Sequence, residues 1–240
     1  MSLAAKLVLS PLLVAQAVAT RARLPRLPEA AGPREGVVGR GAPLRLLIAG
    51  DSSAAGVGVA DQRDALAGHL SRSLAQRAGR RVHWRLIARS GVNSEQCLEL
   101  LNEAHDAEAE FAVLVLGVND VVDQLPSERS VAARERLANH LRNRHGVKHV
   151  AFAPLPPVHQ FPGLPQPLRW IAGADARRHD AAMARWAATR DDVSHVQIRM
   201  RLGEEVMAAD GFHPGEPVYR VCGEAIAAHL ATRSTSKETP

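Results

Sequence analysis

Short apolar runs alternate with amphipathic segments between residues 44 and 232. The apolar runs are rich in Val, Ile and Leu and lie at 44–49, 82–88, 111–116, 147–153 and 193–198. Apolar positions recur with helical spacing in the intervening and following segments, near 63–78, 94–105, 128–145, 171–189 and 217–232. Strands that alternate with helices predict right-handed crossovers and a parallel sheet covered on both faces. The pattern therefore predicts an α/β fold, a three-layer α/β/α sandwich around a five-stranded parallel sheet.

The N-terminal segment has a different pattern. Residues 7–19 are apolar but fewer than the roughly 20 residues that cross a bilayer. Lys6 before this segment and Ala17-Val18-Ala19 at its end are typical of a secretory signal peptide. Three arginines within residues 21–26 oppose export and favour a helix that lies in the membrane interface. We therefore favour a cytoplasmic protein, or one peripheral to the inner membrane, with secretion after cleavage as the alternative.

These patterns divide the chain into three parts. Residues 1–43 are an apolar segment followed by a linker, because 25–43 are rich in proline and glycine and show little periodicity. Residues 44–232 form the folded domain. Residues 233–240 are expected to be a disordered tail.

The net charge of +5 at pH 7 belongs to the N-terminal segment, where residues 1–45 hold seven basic and two acidic side chains. The rest of the chain is balanced. A nucleic-acid-binding core needs a basic face on the folded domain, so we expect no nucleic-acid partner. Contact between the basic segment and anionic lipid remains open. Oligomeric state is not encoded in any of these patterns.

Neither the cysteines nor the histidines indicate a metal site. Cys97 and Cys222 have no metal-type spacing and do not suggest a disulfide framework. No pair of histidines forms an HExxH or similar ligand helix. We therefore expect no metal and no cofactor.

Polar residues follow the predicted strands at the edge where open parallel sheets place their functional groups. Four of the five strand exits carry such residues: Gly50-Asp51-Ser52-Ser53, Ser90-Gly91-Val92-Asn93, Gly117-Val118-Asn119-Asp120 and Asp210-Gly211-Phe212-His213. Each block alone also fits an ordinary turn or a helix N-cap. Together, in this order, they resemble the blocks of the SGNH/GDSL hydrolase superfamily, over roughly residues 44–232. The resemblance implies a flavodoxin-like SGNH hydrolase fold.

By this resemblance Ser52 is the nucleophile, His213 its general base and Asp210 the carboxylate that orients His213. The oxyanion hole is formed by the backbone N–H groups of Ser52 and Gly91 and by the side-chain amide of Asn119. The chemistry is consistent, because a serine hydroxyl attacks only when a base accepts its proton and a partner fixes the tautomer of that base.

One position departs from the family pattern. Ser53 stands where the GDSL signature has Leu, so the chemistry alone leaves two adjacent hydroxyls as possible nucleophiles, and the family alignment selects Ser52. An α/β-hydrolase of the G-x-S-x-G type is disfavoured, because residues 50–54 lack the second glycine and follow the first predicted strand.

The resulting prediction is a serine esterase that cleaves carboxylic esters or thioesters through an acyl-enzyme. The Pro-rich loop 153–167 with Phe161, and Trp170 beyond it, is expected to border the pocket and to favour a short or medium acyl chain. The basic, apolar N-terminal segment favours lipid-like esters. Two alternatives stay open: a carbohydrate O-deacetylase of the same fold, and a non-catalytic module that binds an acylated ligand at a membrane. Aromatic residues make up only 3% of the chain, which leaves little to stack on sugar rings.

Overall fold

The computed structural model describes residues 3–104 and 108–235. The helices in these ranges are α1 (Leu3–Arg23), α2 (Leu66–Ala78), α3 (Ser94–Asn102), α4 (Val118–Val122), α5 (Ser127–His145), α6 (Leu168–Ala187) and α7 (Glu216–Thr235). The strands are β1 (Glu35–Val38), β2 (Pro43–Gly50), β3 (Arg81–Ala88), β4 (Phe111–Val115), β5 (His149–Phe152) and β6 (Val193–His195). Each predicted helix and strand is present, and most boundaries lie within a few residues of the pattern.

The strands form one sheet in the order β1-β3-β2-β4-β5-β6. Strands β2 to β6 run parallel to their neighbours, as predicted. The prediction of a five-stranded parallel sheet is wrong at one edge, because β1 pairs antiparallel with β3. Strand β1 has only four residues, Glu-Gly-Val-Val, so it carries no apolar run that marks it as a strand.

Successive side chains of β2 point to opposite faces of the sheet and contribute to the two halves of the core. Leu46 and Ile48 pack against α2 and α7 on one face of the sheet. Leu47 and Ala49 pack on the other face, in a cluster that includes residues of α3, α5 and α6. Period-two alternation in a strand covered by helices on both sides produces this three-layer arrangement.

The segment before β2 is packed on the domain and is not the free linker that its composition predicts. Ala30 N–H donates to Ala55 O at 3.2 Å, and Ala31 N–H donates to Ala60 O at 2.9 Å. Ala30 is buried. These contacts join the N-terminal segment to the turn that follows β2. At the other end, α7 extends to Thr235, so the predicted tail is helical as far as that residue, and residues 236–240 lie outside the described residues.

Helix α1 includes Pro11 and ends in Arg21 and Arg23. Within residues 3–104 and 108–235, no helix has the length and apolar character needed to cross a membrane.

Candidate active site

Ser52 lies in the turn that leaves the carboxyl end of β2. Gly50 ends the strand, and a Cβ there would lie 2.1 Å from Val115 O, so the close approach of β4 requires glycine. After Gly50 the backbone closes into a turn, with Ala55 N–H donating to Asp51 O at 2.9 Å. This geometry holds the half-buried Ser52 side chain at the edge of the sheet.

His213 and Asp210 lie in the segment before α7. The Asp210 carboxylate accepts the backbone N–H groups of Phe212 and His213, both at 2.9 Å. Its second oxygen lies 2.6 Å from His213 Nδ1. A carboxylate only accepts hydrogen bonds, so Nδ1 carries the proton and Nε2 is an acceptor. Gly211, with φ of 61°, allows the tight turn between them.

The structure brings this segment to Ser52. His213 Nε2 lies 3.2 Å from Ser52 Oγ, although the two residues are 161 positions apart. Burial raises the pKa of Asp210, but the hydrogen bonds from His213 and Phe212 outweigh burial and hold the pKa below its ordinary value. Asp210 is therefore an ionised acceptor beneath the imidazole. The contact selects Ser52, and not Ser53, as the hydroxyl next to the base.

Hydrogen bonds and close backbone approaches hold the turn after Ser52 beside the segment that contains Asp210 and His213. Tyr219, buried on α7, donates its hydroxyl to Val57 O at 2.6 Å. A Cβ at Gly58 would lie 2.1 Å from Pro214 O, so only glycine lets the turn after Ser52 approach this closely. Gly163 N–H donates to Gly211 O at 2.9 Å, which joins the Pro-rich loop to the same segment.

Asp51, next to Ser52, is a buried acid that the sequence pattern left without a role. Its carboxylate accepts the backbone N–H of Ser53 at 2.9 Å. Burial raises the pKa of Asp51 to about 7, against the opposing effects of the Ser53 hydrogen bond and the nearby His213.

The other two predicted oxyanion donors lie after β3 and β4, Gly91 in a turn and Asn119 in the short helix α4. Gly91 is exposed and has φ of 85°, and a Cβ there would meet no heavy atom within 4 Å. The positive φ, and not a lack of space for a side chain, therefore explains why residue 91 is a glycine. Asn119 Nδ2 donates one hydrogen to Val92 O at 2.9 Å. This bond joins α4 to the turn after β3 and leaves the second amide hydrogen of Asn119 for another acceptor.

A buried ionic cluster supports these turns. The Asp120 carboxylate accepts Ser94 N–H at 2.8 Å and the Ser94 hydroxyl at 2.7 Å. It also accepts the Ser130 hydroxyl and, at 3.1 Å, Arg134 Nη2. Burial opposes ionisation of Asp120, but Arg134 and these hydroxyls lower its pKa below the ordinary value. The cluster fixes α4, which contains Asn119, to the N-terminal end of α3.

Two residues before the first family block also contact the site. Glu29 accepts Ser90 N–H at 2.6 Å, one position before Gly91, and forms an ion pair with Arg34. Arg34 Nη1 donates to Ala88 O at 2.6 Å, at the end of β3. The sequence pattern does not identify Glu29 or Arg34 as site residues, because both lie in a Pro/Gly-rich stretch. The residues that they contact at the end of β3 are more than 50 positions away.

The loop expected to border the pocket packs into the domain, in a cluster with apolar residues of the segment before α7. Phe161 is only 3% exposed and forms an edge-to-face contact with Phe212, with ring centroids 5.2 Å apart. Phe212 in turn contacts the His213 ring. Phe212 is therefore the aromatic side chain beside the base, with Phe161 behind it. Trp170 lies on α6 and is 49% exposed.

Metal-ligating residues are not clustered in this part of the chain. Among residues 3–104 and 108–235, no group of three or more His, Cys, Asp and Glu side chains is arranged to hold a metal ion. The arrangement at Ser52 is one of acid, base and hydroxyl.

Comparison with known proteins agrees with this chemistry. The chain is 26% identical to a GDSL-like esterase of Mycobacterium tuberculosis over 94% of its own length and 78% of that protein. The solved acetylxylan esterase of Geobacillus stearothermophilus has a TM-score of 0.60 at 15% identity, covering 79% of this chain and 95% of the other. A carbohydrate acetylesterase family member from Sinorhizobium meliloti has a TM-score of 0.58 at 17% identity, covering 79% and 98%. At these identities, the solved structures show a shared fold.

A serine hydroxyl beside an imidazole–carboxylate pair is the arrangement of a serine hydrolase, and the GDSL-like esterase relative indicates that the bonds cleaved are esters. The family model of the GDSL-like Lipase/Acylhydrolase family matches residues 48–221. The chain belongs to this family.

Proposed function

We propose that this hydrolase cleaves carboxylic esters or thioesters through an acyl-enzyme formed on Ser52. The observation that carries the proposal is the continuous hydrogen-bonded contact from Ser52 Oγ to His213 Nε2 and from His213 Nδ1 to Asp210. Ser52 Oγ attacks the carbonyl carbon while His213 Nε2 takes its proton. Asp210 holds the tautomer and stabilises the imidazolium that forms.

The negative charge that develops on the carbonyl oxygen needs donors in place beforehand. The backbone N–H groups of Ser52 and Gly91 and the free amide hydrogen of Asn119 supply them in this proposal. The tetrahedral intermediate collapses when His213 returns its proton to the leaving alcohol or thiol. Water then attacks the acyl-enzyme with His213 again as base, which restores Ser52.

Active-site labelling provides the direct test. A fluorophosphonate probe forms a covalent bond with an activated serine, and peptide mass spectrometry is expected to locate that bond on Ser52. S52A is expected to abolish labelling and hydrolysis of p-nitrophenyl esters. S53A is the matched control and is expected to retain both. Labelling on Ser53, or activity in S52A, contradicts the assignment, and absence of labelling favours a non-catalytic acyl-binding module.

N119A tests the oxyanion hole. Loss of one such donor typically costs about 2.7–4 kcal/mol of transition-state stabilisation, so kcat is expected to fall about 100-fold to 1000-fold with little change in KM. An unchanged kcat contradicts the role. N93A, a cap variant of α3, is a control for local loosening, because Asn93 accepts the N–H groups of Glu95 and Gln96.

The substrate class that we favour is an ester with a short to medium acyl chain. The Phe212 ring beside His213 gives the base an apolar neighbour. The acetylesterase relatives favour a second candidate, carbohydrate deacetylation, by fold alone. Rates on p-nitrophenyl acetate, butyrate and octanoate, measured beside acetate release from acetylated xylan, separate the two. Acetate release from xylan faster than butyrate hydrolysis supports the deacetylase.

A further inference from the structure

Helix α1 lies against the domain with the polar residues Gln16 and Thr20, and several of its apolar residues are exposed. Gln16 Nε2 donates to Gln166 O at 2.7 Å, and Gln16 Oε1 accepts Leu168 N–H at 3.2 Å. Thr20, one turn further on, is 7% exposed. Residues three and four positions apart share one face of a helix, so Gln16 and Thr20 define the face against the domain.

The opposite side of α1 is apolar and exposed. We call it the outward face, and it consists of Val14, Ala15, Val18 and Ala22. Val14 is 62% exposed and Val18 65%. A helix on a water-soluble domain normally has the reverse arrangement, with apolar residues towards the core. Within residues 3–104 and 108–235 the outward face is exposed, so it is available to an apolar surface such as a membrane.

A cluster of positive charge continues from this face. Arg21, Arg23 and Arg26 are exposed, and none of them has an acidic partner among residues 3–104 and 108–235. An apolar surface beside uncompensated arginines matches the boundary between acyl chains and anionic headgroups. A second copy of the chain fits less well, because pairing of two outward faces brings two sets of arginines together.

We propose that α1 docks this protein on the surface of an anionic membrane, with the outward face in the acyl boundary and the three arginines against the headgroups. The helix lies along the surface, since it is not long and apolar enough to cross the bilayer. It is attached to the end of the loop that contacts the segment of Asp210, through Gln166 and Leu168. Docking therefore holds the domain beside a lipid surface. The proposal does not depend on the proposed catalytic roles, because membrane binding is measured separately from hydrolysis.

Vesicle flotation tests the proposal with the full chain, its intact mass checked so that residues 1–23 are present. The full chain is expected to float with vesicles of mixed phosphatidylglycerol and phosphatidylcholine and to remain below with phosphatidylcholine alone. R21Q/R23Q/R26Q is expected to weaken binding about a hundredfold, because each basic residue near such a surface contributes about a factor of five. V14D/V18D is expected to abolish binding.

Matched controls separate docking from general charge and folding effects. R144Q/R199Q/R201Q removes three exposed arginines elsewhere and is expected to bind within about twofold of the wild type. All variants are compared by circular dichroism, which shows that the domain is folded without relying on hydrolysis. Equal binding by the two triple variants overturns the proposal, as does flotation that is the same with and without anionic lipid. A vesicle-free dimer that V14D/V18D dissociates also overturns it, in favour of a second copy.

Discussion

Replacement of Asp120 by asparagine tests whether the buried ionic cluster supports the site. Asp120 is fully buried and accepts four hydrogen bonds, two of them from Ser94. D120N keeps the shape of the side chain and one acceptor oxygen. It removes the negative charge opposite Arg134, whose side chain is 2% exposed.

The expected cost follows from this burial. Removal of one partner from a buried ion pair typically costs about 3–5 kcal/mol, because the remaining charge stays desolvated and uncompensated. The free energy of unfolding of a domain is about 5–15 kcal/mol. D120N is therefore expected to remain folded at room temperature but to lose a large part of its stability. Its kcat is also expected to fall, because Asn119 loses the support of α4.

Urea unfolding followed by circular dichroism measures this loss as a lower midpoint at an unchanged m-value. The double variant D120N/R134M removes the unpaired charge and is expected to be more stable than D120N, because an uncharged pair avoids the desolvation penalty. A loss below about 1 kcal/mol in D120N refutes the reasoning. A double variant less stable than D120N refutes it independently.

Three further substitutions have defined outcomes. E29Q leaves Ser90 N–H with a neutral acceptor and is expected to lower kcat about fivefold at similar KM; an unchanged kcat shows that Glu29 does not position the turn. The pKa of Asp51 is raised from 3.8 in the unfolded chain to about 7 in the folded protein. Between these two values the folded protein holds a proton that the unfolded chain has released. The stabilising contribution of Asp51 is therefore fully present at low pH and is lost as the pH rises through about 7. From about pH 5 to about pH 8, the free energy of unfolding of D51N is therefore expected to rise by more than about 1 kcal/mol relative to that of the wild type in urea titrations. The same pH dependence in both proteins contradicts this. D210N is expected to lower kcat about 10⁴-fold, since His213 loses the acceptor that fixes its tautomer; a loss below tenfold in steady-state assays argues against that role.

The alternation of apolar runs and helical segments was enough to predict the parallel strands and the helices between them, because both periodicities are local. The polar blocks at the strand exits were also legible, since parallel strands bring their carboxyl ends to one edge. The resemblance of these blocks to the SGNH/GDSL hydrolase superfamily then indicated Ser52, Gly91, Asn119, Asp210 and His213. Which of two adjacent serines faces the imidazole was decided by the three-dimensional contact.

Features that depend on distant partners were not predictable from the pattern. Strand β1 exists because Gly36 pairs with Trp84 in the sheet, and four residues without an apolar run do not mark a strand on their own. Glu29 reaches Ser90 across 61 positions from a segment whose composition indicates a linker.

The N-terminal helix shows the same division. Its composition, apolar with arginines at its end, was determined by the sequence. The sequence did not determine which face of the helix contacts the domain. Helices on a folded domain usually turn their apolar residues inwards, whereas the hydrogen bonds of Gln16 place a polar face against this domain. The sequence by itself determined the elements and the chemistry available at the sheet edge, since these follow from neighbouring residues. Only the tertiary structure decided which side chains meet, because hydrogen bonds and ion pairs between distant segments depend on the packing of the whole chain.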